Sequence, residues 1–200
     1  MNLPHLLAAL CGLLLGLAVT LKDAAACACC TNQGQRRVGV EQLDSGKREE
    51  IGRLRFSADA QLFSGEGDPA DTKGVAKSSG RYELRVSQEP NRWVFDFRDK
   101  AGGSGTLTLG LPATISIFEV DPRLGERPGG QGPTLYKEWK LSSAAAGTGI
   151  FAPGVGGGQR IALILQGHGN SCTSSSDFTH WSIVISGPRA QYTLFGDLQQ

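Results

Sequence analysis

Apolar and polar positions alternate with a period of two through most of this chain, the pattern of strands that each bury one face. Leu54, Phe56, Ala58, Ala60 and Leu62 share one side of a segment whose other side is Arg53, Arg55, Ser57, Asp59 and Gln61. Tyr82, Leu84 and Val86 alternate with Arg81, Glu83 and Arg85, and after a turn at Glu89-Pro90-Asn91 the sequence resumes with Trp93, Phe95 and Phe97. Two such runs across a short Pro-Asn connection predict a hairpin. Leu107, Leu109 and Leu111, then Ala113, Ile115 and Ile117, then Leu135, Trp139 and Leu141 predict further strands. Ile161 to Leu165 is an unbroken apolar run of buried-strand length, Trp181 to Ile185 alternates again, and Tyr192 and Leu194 mark the last strand.

No stretch of about a dozen residues carries apolar side chains at i, i+3, i+4 and i+7, the spacing of an amphipathic helix. The expectation is therefore an all-β domain: an antiparallel β-sandwich or closed β-barrel of about 8–9 strands. Glycine, 28 of 200 residues, is spread through the turns without a repeat and supplies backbone conformations that other residues avoid.

The amino terminus breaks this pattern. Leu6 to Leu21 is almost purely apolar, and Lys22-Asp23 is followed by Ala24-Ala25-Ala26, small residues where a signal peptidase reads. At about 16 residues the run is shorter than the ~20 that span a bilayer as a helix. Residues 1–26 thus read as a cleaved secretory signal and the protein as extracytoplasmic, periplasmic or secreted, with no membrane span after cleavage. A lipid anchor at Cys27 is the alternative, although the usual leucine three residues before such a cysteine is missing. Residues 27–50 read as a polar, Cys-rich arm with a short strand near Arg37 to Val40, and 51–200 as a single β-domain. Without Lys22 and Asp23 the chain keeps 19 basic and 18 acidic residues. That balance offers no electrostatic footprint for nucleic acid, which leaves a protein or small-molecule ligand as the partner.

Candidate chemistry concentrates in the connection from Gln166 to His180. Cys172 lies there, far from Cys27, Cys29 and Cys30, and any disulfide it forms within the chain joins the loop to that cluster. Closing a loop of about 140 residues would stabilise by about 5 kcal/mol in the chain-entropy model. The alternative is a copper(I) or zinc site, because closely spaced thiolates are soft ligands and His168 and His180 can complete a tetrahedral or trigonal set. The flanking Gly167 and Gly169 give His168 access, and with Asn170 and Asp177 they make the loop a candidate binding surface.

Ser174-Ser175-Ser176-Asp177 and His180 contain the residue types of a catalytic triad. Such triads are assembled from separate parts of a fold, however, and no Gly-x-Ser-x-Gly elbow occurs here. The carboxylates Asp59, Glu83, Asp96, Glu119 and Glu138 fall mostly on outward positions, so no acid–base pair is assigned. Trp93, Trp139 and Trp181 have the parity of core residues. These features describe an exported, non-catalytic β-domain that binds through its loops, with an extracytoplasmic copper(I)- or zinc-binding protein as the alternative.

Overall fold

A computed structural model describes residues 36–63, 72–120, 135–169 and 174–199. The expected signal, residues 1–26, all the cysteines and Asn170 lie outside these residues. Twelve strands form one antiparallel sheet: β1 (Arg36–Gln42), β2 (Arg55–Phe56), β3 (Asp59–Phe63), β4 (Arg81–Gln88), β5 (Arg92–Arg98), β6 (Ser104–Gly110), β7 (Thr114–Val120), β8 (Leu135–Ala144), β9 (Ala146–Gly149), β10 (Arg160–Gly169), β11 (Phe178–Ser186) and β12 (Tyr192–Gln199). Their spatial order is β1-β7-β8-β10-β11-β12-β3-β4-β5-β6-β9, with β2 paired to β12.

The sheet curls until its inner face encloses one core, yet it does not close as a barrel. The reason is visible at Ala145, where β8 runs on into β9. Strand β10 takes one edge of β8 along Leu135–Ala144, and β7 takes the other over Tyr136–Lys140. The far end of the sheet, β6, therefore finds its partner only in the extension beyond Ala145, pairing Gly105–Thr108 with Ala146–Gly149. On its other side β7 pairs with β1, which ends the sheet with β7 as its one strand neighbour among the described residues.

Within the strands burial follows the sequence parity, whereas Ala58 and Ala113, which the alternation placed inward, lie between strands and are exposed. Trp93, Phe95, Phe97, Leu107, Leu109, Trp139, Leu141, Ile161, Leu163, Leu165, Trp181, Ile183 and Ile185 are all buried in one cluster. Each fully buried aliphatic or aromatic side chain contributes about 1.5–3 kcal/mol relative to exposure. Phe56 joins the two sides of the curl, its ring 5.9 Å from Trp93, 5.7 Å from Phe95 and 5.8 Å from Trp181. Phe151 does the same further along, 5.3 Å from Phe97 and stacked on Tyr192 at 6.1 Å.

The described part of the segment expected as an arm, residues 36–50, is built into this body. Beyond the strand at 36–42 it forms a helix, α1 (Ser45–Gly52), started by Asp44, whose carboxylate accepts from the Lys47 N–H at 2.9 Å. Its sequence, Ser-Gly-Lys-Arg-Glu-Glu-Ile-Gly, is too short and too polar to show helical periodicity, and Glu50 and Ile51 alone are buried. No helix among the described residues is long and apolar enough to cross a membrane.

Candidate functional site

The inner face of the sheet turns polar at one end. The register sets Arg37 of β1 against Glu119 of β7, Glu119 against Lys137 of β8, and Lys137 against Gly167 of β10, so these residues form a single row across four strands. Lys137 is fully buried and Glu119 only 2% exposed. Arg37 donates to Glu119 at 3.1 Å and to Glu41 at 2.6 Å. At the other end of the row the Lys137 ammonium donates to Asp177 at 2.9 Å and lies 5.4 Å from the centre of the Phe178 ring.

Asp177 reaches Lys137 because of what β10 lacks. The pairing of β10 with β11 shifts register between Gln166 and Gly167, so that Gly167 faces Phe178 while Gln166 faces His180. Asp177 then lies against the inner face of β10. A Cβ on Gly167 would run into the Asp177 carbonyl oxygen, and one on Gly169 into its carboxylate. The two glycines are a shelf for Asp177. His168 between them points to the other face of the sheet, exposed, with its ring 5.5 Å from that of Tyr136.

Helix α1 covers this charged end. Its Glu50, 8% exposed, sits where Lys137, Asp177, Lys47 and Arg53 all act on it. Desolvation dominates and pushes the Glu50 carboxyl above its ordinary value near 4.5, the negative charge of Asp177 adds to this, and Lys137 opposes it. Glu50 Oε1 is buried without a hydrogen-bond partner. Between α1 and the end of the β10–β11 loop runs an open cleft of about 400 Å³, lined by Asp44, Lys47, Glu49, Glu50, Arg53, Ser174 and Ser175. Lys47 bridges one wall, 3.0 Å from Asp44 and 3.3 Å from Glu41.

Comparison with protein-family models, curated proteins and solved structures returns no match. The site therefore rests on its own geometry.

Of the residues singled out from sequence, the structure describes His168, His180, Gly167, Gly169 and Asp177. Cys27, Cys29, Cys30, Asn170 and Cys172 lie outside the described residues. His168 and His180 are both exposed on the outer face and turn to different neighbours: His168 meets Tyr136 of β8, while His180 meets Thr179 at 2.8 Å and Asp197 of β12 at 3.4 Å. Among the described residues no group of three or more His, Cys, Asp or Glu side chains is placed to hold a metal ion. His180 borders a shallow outer groove of about 510 Å³ that also includes Phe63, Phe195 and Asp197. Of the loop residues, Gly167, Gly169 and Asp177 belong to the charged end, in supporting roles.

Three residues of that end escape a reading based on motifs: Glu50, Glu119 and Lys137. Parity marks two of them. Glu119 shares its phase with Ile115 and Ile117, and Lys137 with Leu135, Trp139 and Leu141, so both are inward by the rule that found the core. Glu50 has no such signal, because the helix that carries it has none.

Proposed function

We propose that this protein is an exported, non-catalytic binding domain that takes a small, positively charged or hydrogen-bond-donating ligand group in the cleft between α1 and the β10–β11 loop. The observation that carries this reading is the buried Glu50 oxygen without a partner, beside a cleft wide enough for a ligand group. A buried acceptor left unsatisfied costs about 1–3 kcal/mol, a cost that a donor from the ligand removes. Ser174 and Ser175 supply hydroxyls on the facing wall, and the Lys137–Asp177 pair fixes the end of the loop behind them. The outer groove offers less, since His180, Thr179 and Asp197 engage one another there. Export follows from the apolar run 6–21 with the alanines at 24–26. In the same reading Cys172 forms a disulfide with one of Cys27, Cys29 and Cys30, which tethers the amino-terminal arm to the binding loop.

Titration of the amide spectrum with methylammonium, with glucose as a neutral comparison, tests the cleft. Methylammonium should shift the amides of Gly46, Lys47, Glu50, Ser174 and Ser175, and the shifts should vanish in Glu50→Gln. Absence of these shifts, or their survival in Glu50→Gln, refutes the cleft as a cation site. Should zinc or copper(I) shift the loop amides in a manner lost in Cys172→Ser, the metal-binding reading takes its place.

A further inference from the structure

The open end of the sheet carries a second message, independent of the cleft. Strand β1 is seven residues long, contains no proline or bulge, and has β7 as its one strand partner among the described residues. Its outward side chains include Val38 at 74% and Val40 at 70% exposed, the two most exposed large apolar residues described. An edge of this kind is a template for another strand, and folded proteins ordinarily blunt it with charge, proline or a bulge. The opposite end of the sheet shows such blunting: β9 has four residues, Ala-Gly-Thr-Gly, and stops at Gly149 with a φ of +61°.

The sequence of β1, Arg36-Arg37-Val38-Gly39-Val40-Glu41-Gln42, is complementary to itself when reversed. Antiparallel pairing of two copies about Gly39 sets Val38 opposite Val40 of the other copy on the outer face. It also sets Arg37 opposite Glu41 on the inner face and Arg36 opposite Gln42. Every cross-strand pair is then either apolar with apolar or opposite in charge or polar, the arrangement that stabilises antiparallel neighbours. One residue of slip in either direction brings Arg37 against a second copy's Val40 or Gln42 and loses both matches, so the pattern specifies the register. The outer face already holds an apolar row leading to this edge, with Phe118 opposite Val38 and its ring 6.0 Å from Tyr136.

We infer that the protein forms a twofold symmetric dimer through β1, in which two sheets join edge to edge with Gly39 at the axis. The contact is isologous, as closed dimers require, and the partner it fits is a second copy of this chain.

The test uses charge on the exposed valines, whose side chains leave the core untouched. Light scattering on the full chain should report a dimer, and amide exchange of residues 36–42 should slow as concentration rises from micromolar to millimolar. The double variants Val38→Lys with Val40→Lys, and Val38→Glu with Val40→Glu, should each be monomeric, since like charges then face each other across the axis. Mixed in equal amounts they should recover a dimer, because Lys now faces Glu at every pair. A monomeric native chain whose β1 exchange is independent of concentration overturns the inference, as does a dimer that both variants retain. Monomeric variants that stay monomeric on mixing, with circular dichroism spectra like the native one, overturn the β1 pairing.

Discussion

The inner face of this curled sheet has two ends of opposite character. Around Phe56, Phe95, Phe97, Phe151 and Trp181 it is aromatic, and the rings pack against one another. Around Glu119, Lys137 and Asp177 it is charged, and the same degree of burial has to be offset by pairing. Burying an ion pair is a poor route to stability, since desolvation consumes much of the attraction. Even the aromatic end is not free of cost: Trp181 Nε1 and Tyr192 Oη are buried without partners, and burial drives the Tyr192 phenol well above its ordinary value.

The two ends are separated most sharply by substitutions that cost about the same singly. Phe97→Ala should lower unfolding free energy by about 3–5 kcal/mol in a denaturant titration, because it leaves a cavity among the packed rings. Lys137→Met should also lose about 3–5 kcal/mol, because it leaves Asp177 as an uncompensated buried charge. Here Asp177→Asn in the same chain should recover part of the loss. A double variant no more stable than Lys137→Met alone would show that the pair is not the unit of stability at this end.

Gly169→Ala comes next, at about 1–3 kcal/mol, because the new methyl group displaces the Asp177 carboxylate from its shelf. In an Asp177→Gly background the same substitution should cost much less, and a double-mutant cycle reads the coupling. Additive costs in that cycle would remove Asp177 from the account of these glycines.

Glu50 tests the sign of the charged end. With its carboxyl raised in the folded protein, Glu50 contributes stability that is complete below its ordinary value near pH 4.5 and is lost as pH rises through the elevated value. Glu50→Gln removes that loss, so the variant should melt higher than the native protein at pH 7, with the difference shrinking toward pH 4. Thermal melts across that range check it, and a variant that melts lower at pH 7 would mean that Glu50 is satisfied as a charge. The smallest effect belongs to the exposed pair Arg53–Glu49 on the same helix, where Arg53→Ala should change stability by no more than about 0.5 kcal/mol.

Much of the fold was legible in the sequence because its strands bury one face each. The phase of Trp93-Phe95-Phe97 and of Ile161-Leu163-Leu165 places those residues correctly with no knowledge of their partners. The strand β9 was not legible, since Ala-Gly-Thr-Gly carries no apolar phase and exists as a strand only because β6 needs a partner beyond Ala145. Helix α1 was hidden for a related reason: it rests on an Asp44 cap and on two buried residues, below the length at which periodicity is visible. Within the candidate site, attention to cysteine, histidine and loop glycines found Asp177 and the glycines beneath it but not the lysine they serve.

What the sequence determined by itself is local: period-two burial, hence antiparallel strands and an all-β fold, the turns between them, and the self-complementary order of charges and valines along β1. What the tertiary structure alone decided is which strands run out of neighbours. A strand has two hydrogen-bonding edges, and because β7 and β10 occupy both edges of β8, the sheet cannot close there. The same constraint leaves β1 at an open edge and carries Arg37, Glu119, Lys137 and Asp177, up to 140 positions apart in the chain, into one charged row.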